Sequence, residues 1–281
     1  MRCKEKLRPL LLAVSRHPAF WVAVHSWLGR LVFARTLNFG GLYDLGLKRP
    51  HPYDLRHGTD TGGIVPSGGK KTDHPYWGAA PTVVRQALAK LPAPEKFTFI
   101  DLGCGKGRPL FVASELPFRA ILGVELSESL ARIAQANAAI IARRFPERTR
   151  IEIVAGDAAN FHLPPGDIAL YLYNPFGVEL MEKVVAEVEA ALAAEPRTIY
   201  VIYQNPVAGH CFDASPALRR HYAGHIGYAW EEQGFRLDVC DTKDAVVIWH
   251  GGRDRPPPLP SANAKIEVTR MLHTNRARLA R

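Results

Sequence analysis

The stretch Phe97–Arg108, FTFIDLGCGKGR, limits what this chain can fold into more than any other. Phe97, Thr98, Phe99 and Ile100 are aromatic or β-branched, as in a strand buried on both faces of a parallel sheet. Asp101-Leu102-Gly103-Cys104-Gly105-Lys106-Gly107 follows, a turn stripped of side chains against which a ligand can lie. Pro109 then opens an apolar run to Leu116 that reads as a helix, because a first-turn position needs no amide partner. A strand, a glycine turn and a helix in this order build a nucleotide-type pocket in a doubly wound α/β sheet.

Two acids narrow the ligand. Glu125 ends a second apolar run, Ala120–Val124, and stands twenty residues past Gly105, where a carboxylate can accept both hydroxyls of an adenosine ribose. That acid suits a dinucleotide and S-adenosylmethionine equally. Asp101 separates them: a carboxylate at the turn repels a pyrophosphate but attracts the ammonium and sulfonium of S-adenosylmethionine. The third glycine of GxGxxG is also missing, with Arg108 in its place.

DLGCGKGR, followed by GVELS at 123–127 and GDAANF at 156–161, resembles the class I S-adenosylmethionine-dependent methyltransferases over roughly residues 75–250. The resemblance implies a Rossmann-like, mostly parallel seven-stranded sheet closed by an antiparallel pair, with S-adenosylmethionine as cofactor. By position it implies that Asp101, Gly103 and Gly105 line the methionine end, Glu125 the ribose, and Asp157 with Ala158 the adenine.

The remaining chain alternates as such a sheet demands. Pro81–Leu91 reads as a helix, and Ser127 caps another that runs to about Phe145, where Pro146 ends it. Strands are expected at 151–155, 168–173 and 198–203, with a helix over 178–194. Phe235–Val239 and Ala245–Trp249 read as the closing hairpin. Asn174-Pro175-Phe176 follows the 168–173 strand and is similar to the Asn-Pro-Pro-Tyr/Phe motif of amino-methylating enzymes, with one proline where that motif has two. An amide there can orient an amine as it loses its proton, and Phe176 offers an apolar face; an ordinary Asn-Pro turn is the alternative. Tyr203 and Asn205, at the end of the next strand, are expected on the acceptor side together with Tyr76.

Residues 51–80 are rich in Gly, Pro, Asp and Thr and read as a long loop, either a connector or a lid in which Asp60, Thr61, Tyr76 and Trp77 fold over the cofactor. Residues 1–50 read as a basic, apolar helical extension, 81–252 as the S-adenosylmethionine-binding domain, and 253–281 as a proline-rich linker with a basic tail. Arg16, Arg30 and Arg35 interrupt the first apolar segment before it reaches the length of a membrane span. It reads as packing on the domain or as a membrane-surface element with Trp21 and Trp27 at the interface.

Charge and cysteine use set further bounds. The chain carries net +9, but nine Lys and Arg against two acids lie in 1–50 and seven against two in 252–281, so the middle is net acidic. The basicity therefore belongs to the ends, and nucleic acid is not the expected partner. The four cysteines, Cys3, Cys104, Cys211 and Cys240, form no disulfide framework or metal spacing, and a cytoplasmic setting and no metal are expected. The reading is a methyltransferase acting on a protein amine or small molecule by direct displacement. The alternatives are a non-catalytic cofactor-binding scaffold and a nicotinamide-dependent oxidoreductase.

Overall fold

The computed structural model describes residues 51–65, 76–173, 177–232, 242–254, 256–266 and 268. Five parallel strands form the middle of the fold: β3 (Thr98–Leu102), β4 (Ala120–Glu125), β5 (Ile151–Ala155), β6 (Ile168–Tyr173) and β7 (Thr198–Gln204). With β8 (Arg219–Gly227) and β9 (Lys243–Gly252) they make a seven-stranded sheet in the order β5-β4-β3-β6-β7-β9-β8, in which β9 runs antiparallel to both of its neighbours. Two short strands, β1 (Ile64–Val65) and β2 (Tyr76–Trp77), pair apart from it. From β3 the chain moves outward through β4 and β5, then returns to add β6 and β7 on the other side. The crevice where a doubly wound sheet binds its ligand is thus between the carboxyl ends of β3 and β6.

Among the described residues six helices flank the strands: α1 (Pro52–His57), α2 (Pro81–Leu88), α3 (Arg108–Ala113), α4 (Glu128–Arg144), α5 (Val178–Ala194) and α6 (Gly209–Asp213). Strand alternation sends Phe99 to one core cluster and Ile100 to the other, so the sheet has an apolar layer on each face. The first takes Val83, Val84, Ala87 and Leu88 of α2 with Leu110 and Phe111 of α3; the second takes Met181, Val184 and Val188 of α5 with Phe212 of α6. Each fully buried Val, Leu or Phe contributes about 1.5–3 kcal/mol. Ser127 Oγ caps α4 by accepting from Leu130 N at 3.5 Å.

The sequence misplaces three features. The partner of β9 is Arg219–Gly227; Phe235–Val239 lies outside the described residues. RRHYAGHIG hides because β8 is an edge strand whose outward positions are exposed or half-buried, leaving no apolar run. Residues 51–65 are not a plain loop: His51 Nδ1 accepts from Tyr53 N at 3.1 Å to cap α1, and Pro52 takes its first position. Past the sheet, Leu259 N donates to His221 O at 2.8 Å and Ala262 is buried, so the proline-rich stretch lies on the domain. Residues 1–50 lie outside the described set. No helix among the described residues is long and apolar enough to cross a membrane.

Candidate active site

β3 delivers Asp101 to the switch point at 2% exposure, and its Oδ2 has no hydrogen-bond partner among the described residues. Burial, and then the nearby Glu125 charge, push this carboxyl well above the usual carboxylate range. The turn above it is tied to β4 by Gly103 N and Cys104 N, which donate to Val124 O at 2.8 and 3.0 Å. Gly105 N donates to Glu125 Oε2 at 2.8 Å, and Ser127 N donates to Glu125 Oε1 at 2.9 Å. One carboxylate therefore bridges the turns after β3 and β4. Burial raises its pKa and these amide bonds oppose the rise.

Tyr76 lies on the glycine turn. Gly105 has φ 56, and a Cβ there would stand 2.2 Å from the Tyr76 ring, so only glycine admits the contact. The ring is held at its far end, where Tyr76 Oη donates to Thr61 O at 2.7 Å. Thr61 is itself gripped by Arg108, whose Nε donates to Thr61 Oγ1 at 2.7 Å and whose Nη2 donates to Thr61 O at 2.6 Å. Asp54 Oδ1 accepts from Thr61 N, Thr61 Oγ1 and Thr59 Oγ1 at 2.9, 2.6 and 2.8 Å. Lys106 Nζ meets Asp60 Oδ1 and Gly62 O at 2.8 Å each, and Asn137 Nδ2 donates to Asp60 O at 2.8 Å. The segment 51–62 is a strap fastened over the turn by the turn's own Lys106 and Arg108. Arg108 replaces the third glycine because it serves the strap, a role visible in the sequence only as a departure from GxGxxG.

The other expected site residues fall in different places. Asp157 is exposed and its Oδ1 accepts from Ala159 N at 2.9 Å, the geometry of a turn cap, while Ala158 is buried in the second core cluster. Leu126, 59% exposed directly after Glu125, is a large apolar side chain that motif spacing alone does not single out. Tyr203 departs from expectation: it is fully buried, its ring packs edge-on to Phe212 at 6.0 Å, and its hydroxyl meets Ala208 N at 3.5 Å inside the core. Strand alternation sends it to the α5–α6 face rather than toward the crevice. Asn205 is 3% exposed in left-handed backbone, φ 51, with its N–H donating to Ala245 O at 2.7 Å. Asn174, Pro175 and Phe176 lie outside the described residues. No group of three or more His, Cys, Asp or Glu among the described residues could hold a metal ion.

No family model matches the chain, and no curated protein matches it. Among solved structures it is similar to a 23S rRNA methyltransferase, ErmE, at TM-score 0.41 and 16% identity, covering 66% of this chain and 73% of that one. It is also similar to TrmN from Thermus thermophilus (TM-score 0.43, 15% identity, 61% of this chain and 48% of that one). A TehB-like SAM-dependent methyltransferase from Corynebacterium glutamicum gives TM-score 0.38 and 18% identity, with 60% and 87% covered. These are likenesses of limited extent, and the doubly wound order of the sheet stands on its own hydrogen-bonded register.

Proposed function

We propose that the chain is an S-adenosylmethionine-dependent methyltransferase that acts on an amine of a protein or small molecule by direct displacement. One observation carries the reading: a buried carboxylate oxygen without a partner, on Asp101, beneath a glycine turn at the switch point of the sheet. A buried acid in that state costs about 1–3 kcal/mol, which a cationic donor recovers and a pyrophosphate would increase. Bound S-adenosylmethionine supplies a sulfonium methyl group, transferred to an acceptor lone pair while the C–S electron pair returns to sulfur.

The residues present fit that molecule. Asp101 takes its ammonium, and the exposed Gly103 leaves the backbone open to its methionine end, while the Tyr76 ring fills the space beside Gly105. Each oxygen of Glu125 spends one lone pair on an amide and keeps another for a ribose hydroxyl. Leu126 offers the adenine an apolar contact, with Asp157 and Ala158 at its rim. Tyr76 closes the methionine end from above. Asn174, with Pro175 and Phe176, orients the acceptor amine, and most of the rate arises from proximity and exclusion of water. Nucleic acid is set aside on charge distribution alone, and an RNA acceptor is an outcome the assay is built to register.

The test is calorimetry with S-adenosylhomocysteine and NAD, followed by labelled-methyl transfer into protein, RNA and small-molecule fractions of an extract. Binding of S-adenosylhomocysteine alone, with label in the protein or small-molecule fraction, is expected. Binding of NAD instead refutes the cofactor, binding without transfer favours a scaffold, and label in RNA refutes the acceptor class.

A further inference from the structure

Among the described residues the large apolar side chains left exposed are Leu55, Leu126, Val154, Val178 and Trp230. Leu126, Val154 and Val178 stand at the ends of β4 and β5 and the start of α5, along the ligand margin, so they belong to the site already described. Leu55 and Trp230, 71% and 55% exposed, lie elsewhere and go together. Arg56 Nη2 donates to Glu231 Oε1 at 3.3 Å, which joins α1 to the turn Trp230–Glu232 beside both of them. α1 turns Tyr53, Asp54 and His57 inward and leaves Leu55 and Arg56 outside. In the turn, Glu232 is buried and accepts from Thr82 N at 3.0 Å, and Trp230 is the residue left open to solvent.

A lone exposed leucine is ordinary, but a leucine and a tryptophan beside one ion pair, on elements pinned from within, make a small preformed face. Connectivity and charge say what covers it. Residues 1–50 join the described structure at His51, which is 2% exposed and caps α1, so that segment is delivered to the helix that carries Leu55. It contains the apolar runs Leu10–Val14, Phe20–Val24 and Leu31–Phe33. The link from Phe33 to His51 can span up to about 60 Å, against about 9 Å for the whole of α1, so reach sets no limit. The segment carries nine Lys and Arg against two acids, whereas residues 51–251 are net acidic. An anionic bilayer would attract the first and repel the second, while the segment and the domain attract each other. A tethered segment also meets the face at an effective concentration on the order of millimolar, which a second copy of the chain does not reach in dilute solution. We propose that residues 1–50 dock on the Leu55–Trp230 face of their own chain through an apolar run. Asp54 of α1 accepts from Thr59 Oγ1 and Thr61 Oγ1, so the docked segment bears on the helix that holds the strap.

The test is photo-crosslinking of the full chain in dilute solution, with Leu55→p-benzoylphenylalanine, Trp230→p-benzoylphenylalanine and, as a control on the exposed side of α5, Ala186→p-benzoylphenylalanine, each adduct mapped by mass spectrometry. The probes at 55 and 230 are expected to give adducts of monomer mass within residues 1–50, and the probe at 186 none. Adding Trp230→Asp to the Leu55 probe should cut its yield about fivefold, because a charge replaces the apolar contact. Dimer-mass adducts would assign the face to a second copy. Flotation with phosphatidylserine vesicles that Leu55→Asp abolishes, without adducts to residues 1–50, would assign it to a bilayer. Either result overturns the proposal, as does equal capture from position 186 or no adduct at all. Should the Leu55 variants not fold, the probe at 230 decides alone.

Discussion

The two ends of the ligand margin are built in opposite ways. Around β3 and β4 the polar groups are set by backbone: Glu125 rests on the amides of Gly105 and Ser127, and the turn hangs from Val124 O. Around β7 and β9 they are set by one another, Tyr171 on Gln204 and Gln204 on Asp244. A group held by backbone keeps its place when a neighbouring side chain is cut back. In a chain of side chains each member depends on the next, so one truncation is felt along the row. The β3–β4 end is thus local and stiff, the β7–β9 end distributed and adjustable.

The sharpest way to break this contrast is at its anchor. Asp101→Ala removes the charge partner proposed for the donor's ammonium, and S-adenosylhomocysteine affinity by calorimetry should fall roughly 10- to 100-fold. An unchanged affinity would move the donor away from β3. Asn174→Ala, at the residue proposed to orient the acceptor, should leave that affinity within twofold while labelled-methyl turnover drops about 100-fold; a loss of binding would reassign it to the donor. Arg108→Ala unfastens the strap without touching the margin. Faster release of S-adenosylhomocysteine, by about five- to tenfold in stopped-flow, is expected, and an unchanged rate would make the strap mere scaffolding.

A smaller effect concerns pH. Because burial and Glu125 hold the Asp101 pKa up, the folded protein keeps a proton that the unfolded chain releases. Its contribution to stability is therefore complete below the unfolded carboxylate value and is lost as pH rises through the folded one. Asp101→Asn should raise the thermal midpoint of the ligand-free protein by a few degrees at pH 8 and hardly at pH 4; the reverse order would show that the acid is already paired. Least of all, Tyr203→Phe should change turnover by less than twofold, since its hydroxyl lies in the core.

The same contrast explains what could be read from the chain. The glycine turn, Glu125 and the strands at 151–155 and 168–173 were legible because each is a contiguous run whose meaning is local. β8 was not, since an edge strand half open to solvent alternates weakly and carries histidines and glycines. Thr61 and Arg108 meet across 47 positions of sequence, and Gln204 reaches Asp244 across 40, so no window contains either pair. Tyr203 was assigned to the crevice from its nearness to the strand end, whereas the pleat decides which face a strand residue serves.

The contact between Tyr76 and Gly105 links two positions that selection cannot treat separately. A methyl group added at 105 would need the ring's space, so homologues with alanine or serine there should have traded the tyrosine for something slimmer. Such paired exchanges would leave a covariation footprint, and in the laboratory they offer a matched bump and hole for admitting enlarged cofactor analogues.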